Sequence, residues 1–248
     1  MKKTLVITDV TQMPTDRNRG NEVCVVGIDD EGRSVRPVCE GGFLKDYLYD
    51  IRQKVVVRHG AKVEFDLFPI AIKPPHIEDV GFKPMSVISK GLCSSTHWES
   101  VLQKSAFSSV SEIYGGFLME SGWVKPGAQI RSIATLSMAS IVDIELTGRS
   151  FKPRITFVDR SECRFNLPVS DLTLWDYAYS LVKKQGCTPE EVKDELVSQL
   201  KGANRLYLRI GLARPWVRDK DEGARCWLQI TGVYTFPDYL HGKSFADF

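Results

Sequence analysis

Arg154-Ile155-Thr156-Phe157-Val158-Asp159-Arg160-Ser161-Glu162-Cys163-Arg164-Phe165-Asn166-Leu167 reads as two strands around a polar turn. Ile155 and Phe157 alternate with Arg154 and Thr156, and Cys163, Phe165 and Leu167 alternate with Arg164 and Asn166. That period of two gives each strand one apolar and one polar face. Upstream, residues 130–146 are long and rich in β-branched residues, which makes three strands in succession. Downstream come two helices. Asp171 caps the first, with Leu174, Tyr177, Ala178, Leu181 and Val182 on one stripe and Gly186 ending it. Thr188-Pro189-Glu190-Glu191 is a capping box with proline at the first helical position, opening a second helix that stops at Gly202. Residues 205–210 and 226–234 close the unit as two further strands separated by a charged loop. Five strands with helix between the third and fourth is the connectivity of the OB fold, a Greek-key barrel whose second and third strands and flanking loops bind oligonucleotides or oligosaccharides.

The amino-terminal end has the same order. Residues 4–9, 22–28 and 34–38 read as three strands, with a polar loop over 11–21 and the turn Asp29-Asp30-Glu31-Gly32 between them. Phe43, Leu44, Tyr47, Leu48 and Ile51 fall at helical intervals, and residues 55–57 and 63–72 read as strands four and five. Lys73-Pro74-Pro75 is expected to end this unit, because proline cannot continue a ladder. Farther along the chain, Thr96 to Glu99 reads as a capping box opening a helix that places Trp98, Val101, Leu102 and Ala106 on one face. A Gly/Ser-containing stretch then runs over 108–127. The expected organisation is a first OB-like barrel over 1–73, a connector with one helix over 74–128, and a second OB-like barrel over 129–248 with a two-helix insertion between strands 3 and 4. The fold class is therefore mostly β with α insertions: two OB-like five-stranded β-barrels joined by a helical connector.

Composition bounds the function. Over 248 residues, 33 Lys and Arg stand against 31 Asp and Glu, a formal charge of +2, which excludes both a basic nucleic-acid tail and an acidic disordered chain. Hydrophobic residues at 43% and charged residues at 26% are ordinary for a globular protein. The apolar run from Leu5 ends at Asp9, too soon for a signal peptide, and the longest apolar stretch, 130–146, carries Arg131, Asp143 and Glu145. A cytoplasmic protein without membrane contact is expected. The six cysteines form no C-x-x-C pair, and their irregular spacing suits reduced thiols. Cys93 and His97 are the nearest approach to a ligand pair, and a helix starting at Thr96 leaves Cys93 outside it; neither a metal nor a cofactor is expected.

Thr8-Asp9-Val10-Thr11, Cys24-Val25-Val26-Gly27-Ile28, Arg36-Pro37-Val38, Arg214-Pro215-Trp216 and the long run Trp227-Leu228-Gln229-Ile230-Thr231-Gly232-Val233-Tyr234-Thr235-Phe236-Pro237-Asp238-Tyr239-Leu240 resemble a prokaryotic family of dual OB domain proteins. The resemblance covers both ends of the chain. It implies two OB barrels and a role in nucleic-acid recognition, in a setting of defence against mobile elements, and it carries no catalytic residues.

Candidate ligand contacts come from the barrel register. On residues 205–210, Leu206, Leu208 and Ile210 share one face and Arg205, Tyr207 and Arg209 the other. Arg154, Arg164 and Asn166 would line the outer face of strands two and three. The loop before the last strand adds Arg214, Trp216 and Arg218, with Lys220 and Arg225, offset by Asp219, Asp221 and Glu222. An arginine and an aromatic there would meet phosphate and stack a base. A second patch in the first unit comprises Arg17, Arg19, Arg33 and Arg36. The competing reading is that strand-exterior arginines only solvate an edge and that Trp216 folds back onto protein. For the aromatic run 234–240 the structural role, a plug that closes the barrel or cements the two domains, is expected over ligand stacking.

The chain has no Walker loop, no G-x-G-x-x-G, no H-E-x-x-H and no G-x-S-x-G. Asp176 with Glu191-Val192-Lys193 falls on predicted helices, the wrong geometry for a carboxylate-metal nuclease, and the four histidines form no readable pair with a nucleophile. Three functions remain. The first is a non-catalytic module binding single-stranded DNA or RNA, or a nucleotide. The second is a scaffold for a protein partner, and the third an enzyme on nucleic acid that would need carboxylates such as Asp9 and Asp159 to converge.

Overall fold

The strand that opens the chain, β1 (Lys2–Gln12), alternates until Ile7 and then shifts register by a bulge before Asp9, a bend that lets one strand serve two neighbours. The computed structural model describes residues 1–13, 21–120, 122–137, 139–217 and 223–248. These divide into two units, Met1–Lys73 with Glu78–Ser105, and Pro74–Ile77 with Ala106–Phe248.

In unit 1, β1 is followed by β2 (Glu22–Ile28), β3 (Ser34–Val38), β4 (Ala61–Phe68), β5 (Asp79–Phe82), β6 (Ile88–Leu92) and α1 (Ser95–Lys104). β1 pairs antiparallel with β2 and with β4, β2 with β3, and β4 with β5; β3 and β5 run parallel. The ring β1-β2-β3-β5-β4 is thus a closed five-stranded OB-like barrel, with β6 added along the free half of β4. Its interior is Leu5, Ile7, Val10, Val25, Val63 and Phe65, with Phe82 stacked on Phe43 at 5.0 Å. Gly27 is required where β1 and β2 cross, because a Cβ there would lie 2.7 Å from that of Leu5.

Four expectations change in this unit. Residues 55–57 are not a strand: only Val55 forms a bridge, with Tyr49, while Val56 and Val57 donate to the Leu48 carbonyl. Residues 43–48 form a two-residue strand and a 3-10 turn rather than a helix. β4 ends at Phe68, ahead of the prolines, but the chain returns beyond them as β5, the strand that closes the barrel. Asp79-Val80-Gly81-Phe82 is too short to show a period, and its glycine is demanded by the Phe68 ring, which occupies the space a Cβ would need. The cap of α1 is Ser94, whose hydroxyl accepts from the His97 N–H, two residues before the expected Thr96.

Unit 2 runs through α2 (Val110–Tyr114), β7 (Ile133–Ser137), β8 (Ser140–Thr147), β9 (Lys152–Val158), β10 (Arg164–Pro168), α3 (Leu172–Lys183), α4 (Pro189–Lys201), β11 (Arg205–Leu212) and β12 (Cys226–Phe236). β8, β9 and β10 form an antiparallel meander, and β7, β11 and β12 a second antiparallel set. The two sheets join where Val169 bridges Ile230 in parallel and the Ser170 N–H donates to the Ile230 carbonyl at 2.8 Å. With β7 and β8 as one interrupted first strand, the order of unit 1 recurs, and the second OB-like barrel is built. Residues 106–128 widen it. Ala106–Phe107 runs parallel to β7, and the pair Leu118–Met119 and Trp123–Val124 lies beside the start of β12. Of the stretch expected as a connector, residues 78–105 fall in unit 1 and residues 74–77 and 106–128 in unit 2.

Both inserted helices start as their sequences dictate. Asp171 accepts from the Thr173 and Leu174 N–H groups, and its other oxygen accepts from the Val233 N–H at 3.1 Å, tying α3 to β12. Thr188 and Glu191 form the reciprocal capping box of α4, which buries Val192, Leu196 and Leu200. All six cysteines are free thiols. Among the described residues no helix is long and apolar enough to cross a membrane.

Candidate nucleic-acid interface

The outer face of the β8–β9–β10 meander brings Arg154 and Asn166 together, as their register requires. Arg154 Nε donates to Asn166 Oδ1 at 2.8 Å and its Nη2 to the Asn166 carbonyl at 2.8 Å, while the Asn166 amide donates to Glu145 at 3.2 Å. The guanidinium is oriented by this chain of hydrogen bonds. Arg164 stands exposed opposite Val158, two residues along β10 from Asn166.

A denser group lies at the loop between β11 and β12. Trp216 and Arg225 exchange both backbone hydrogen bonds at 3.0 Å, so the described ends of this loop leave the barrel as a ladder. The alternation of β12 then puts Trp227 on the same side as Arg225. Trp227 also faces Trp123 across the ladder, with ring centroids 6.4 Å apart. The Arg225 guanidinium sits 4.7 Å from the Trp123 ring centre and 5.5 Å from that of Trp227, a cation held over two indoles. Beside it Leu118, Met119, Glu120, Trp123 and Arg225 line a shallow depression of about 380 Å³. Trp216 is 57% exposed, and Arg214 is exposed two residues before it. A flat cation supported on aromatic rings, next to an exposed indole, is the chemistry that stacks unpaired bases. Trp123 and Trp227 escape a sequence reading because they lie about 100 residues apart; the local trace is Arg225 two residues before Trp227.

Other expected contacts are placed elsewhere. Alternation put Tyr207 and Arg209 on an open face, but Tyr207 is 4% and Arg209 0% exposed. β11 is the central strand between β7 and β12, and from Tyr207 onward both of its faces are covered. Arg209 Nη1 donates to the Thr135 hydroxyl at 2.9 Å, and Tyr207 packs edge-on against Phe236. Period two tells which side chains share a face, not whether that face meets water. In the second patch Arg36 is 4% exposed and paired with Asp79 at 3.0 Å, and Arg33 bridges Asp29 and Glu31. Arg17, Arg19 and Arg218 lie outside the described residues.

Asp9, Asp29, Asp159 and Glu191 are occupied by structural tasks. Asp29 accepts from Lys3, the Arg33 side chain and two backbone N–H groups, which hold it below the usual carboxylate range despite burial. Asp159 accepts from the N–H groups of Val110, Ser161 and Cys163, pinning the β9–β10 turn to the start of α2. The Asp9 carboxylate is buried and accepts from the Thr8 hydroxyl at 2.6 Å. Glu191 is consumed by the α4 cap. Tyr177, pushed up to about 12 by burial and by donating to Glu195, holds its proton. Burial pushes the Cys226 thiol up to about 11, which makes it unreactive. No protein-family model and no curated protein matches the chain.

Proposed function

We propose that this chain is a non-catalytic dual OB module that binds single-stranded nucleic acid, or a nucleotide, through the β11–β12 loop end of unit 2. The observation that carries the reading is the Arg225 guanidinium over the rings of Trp123 and Trp227, with Trp216 exposed on the same ladder. Bases stack on such a platform whatever their sequence, each contributing about 1–3 kcal/mol, so useful affinity needs no large net charge. Arg214 and Arg225 supply the phosphate contacts, and Arg154 a further one on the meander face. The resemblance to dual OB domain proteins supports the same reading and its setting in prokaryotic defence.

The test is fluorescence anisotropy of labelled single-stranded DNA, single-stranded RNA and duplex DNA over a salt series. With two or three arginine–phosphate contacts, log affinity should fall with log salt with a slope of roughly −1.5 to −2. Trp216→Ala and Arg225→Ala should each weaken the single strands, while Arg33→Ala should not. Binding indifferent to all three, or absent at low salt, overturns the reading and turns attention to a protein partner.

A further inference from the structure

We propose that the depression beside Trp123 selects guanine. This rests on the nucleic-acid reading of the same site and adds to it the identity of the base. The lining of the depression is chemically asymmetric. One wall is the indole of Trp123 with the Arg225 cation held over it, a surface for the flat face of a base. Glu120 also lines the depression, and its carboxylate makes no hydrogen bond or ion pair within the described residues. A carboxylate offers only acceptors and repels phosphate, so the part of a nucleotide turned toward Glu120 must be a base edge that carries donors.

The bases differ sharply on this point. Adenine and cytosine present one exocyclic amine beside a ring acceptor, which would face the carboxylate unfavourably. Uracil and thymine present one N–H between two carbonyls. Guanine alone presents two adjacent donors, N1–H and N2–H, whose parallel fork matches the two oxygens of a carboxylate. Stacking on Arg225 and Trp123 while donating twice to Glu120 uses every charged group of the depression. A volume of about 380 Å³ accommodates one purine ring and is at the small end of ligand sites.

The experiment measures binding of the full chain to four labelled oligonucleotides, each a thymidine tract with guanine, adenine, cytosine or thymine at its centre. Parallel titrations use Glu120→Gln, Glu120→Ala and Trp123→Ala, with thermal melts to show that the exposed Glu120 variants fold as the wild type does. The guanine oligonucleotide should bind about 10–100-fold more tightly than the other three, the discrimination of a bidentate base contact. Both Glu120 variants should bring the four to within about threefold of one another while keeping the affinity of the thymidine tract, because stacking is retained. Equal binding of all four by the wild type, or a guanine preference that survives Glu120→Ala, overturns the guanine assignment and leaves the nucleic-acid reading standing. Loss of all binding, or binding unmoved by Trp123→Ala, overturns that reading and this one with it.

Discussion

The arginines of unit 1 and of unit 2 begin from comparable barrels and end differently. On β3 of unit 1, Arg36 is buried against Asp79 of its parallel neighbour β5, and Arg33 is spent on Asp29 and Glu31 in the β2–β3 turn. At the β11–β12 loop of unit 2, Arg225 lies over two indoles and Arg214 is exposed next to Trp216. Unit 1 pairs both of these arginines with carboxylates, one buried and one at the surface; unit 2 sets one of its own over aromatic rings. The difference teaches that an OB-like strand order does not by itself make a ligand face. What surrounds an arginine, the Asp79 carboxylate at Arg36 or the two indoles at Arg225, is set by elements other than its own strand.

The sharpest way to break this comparison is Arg36→Met, which leaves Asp79 buried without its cation. Removing one partner of a buried pair costs about 3–5 kcal/mol, so urea unfolding should show a large loss in midpoint. Nucleic-acid binding measured below the new transition should be unchanged; a binding defect without a stability defect would make Arg36 a ligand contact after all.

Acid should separate the units next. Burial and the neighbouring Arg58 push His59 of unit 1 down to about 3 from 6.5. The unfolded chain takes up its proton near 6.5 while the folded chain stays neutral, so this stability is intact above that value and is lost as pH falls from 6.5 toward 3. By pH 4 the loss should be roughly 3 kcal/mol, and His59→Gln should flatten the dependence of the unfolding midpoint on pH. An equally steep profile in the variant would remove His59 as its source.

In unit 2 the expected order of effects reverses. Trp216→Ala should leave the melting temperature near that of the wild type, because the ring is mostly exposed, and should weaken single-strand binding by about 1–3 kcal/mol. A drop in melting temperature of the size seen for a core residue would instead mark Trp216 as packing. The smallest expected change, Thr188→Ala, tests the inserted helices: loss of the α4 cap should cost about 1 kcal/mol in stability and leave binding untouched.

Much of the fold was legible. The helix caps at Asp171 and Thr188 and the strands of unit 2 come from rules acting over a few residues, and those rules held where the local signal was strong. The strand that closes the first barrel was not legible. β5 has four residues, one of them a glycine placed for a ring on β4, so it carries no period to read. The site was legible only in outline: Arg214 and Trp216 stand in the loop where an OB-like order puts a ligand wall, yet Tyr207 and Arg209, equally prominent by alternation, are buried.

The sequence by itself determined which residues share a strand face, where the inserted helices begin, and the strand order of the second half. Tertiary structure decided which of those faces meets water. It sank Arg209 beside Thr135, paired Arg36 with Asp79, and set Arg225 over the rings of Trp123 and Trp227. The physical reason is range. Alternation and capping are fixed by backbone geometry within one turn or one pleat, whereas burial and charge pairing depend on whatever element the fold lays across, in these cases from tens of residues to about 100 residues away.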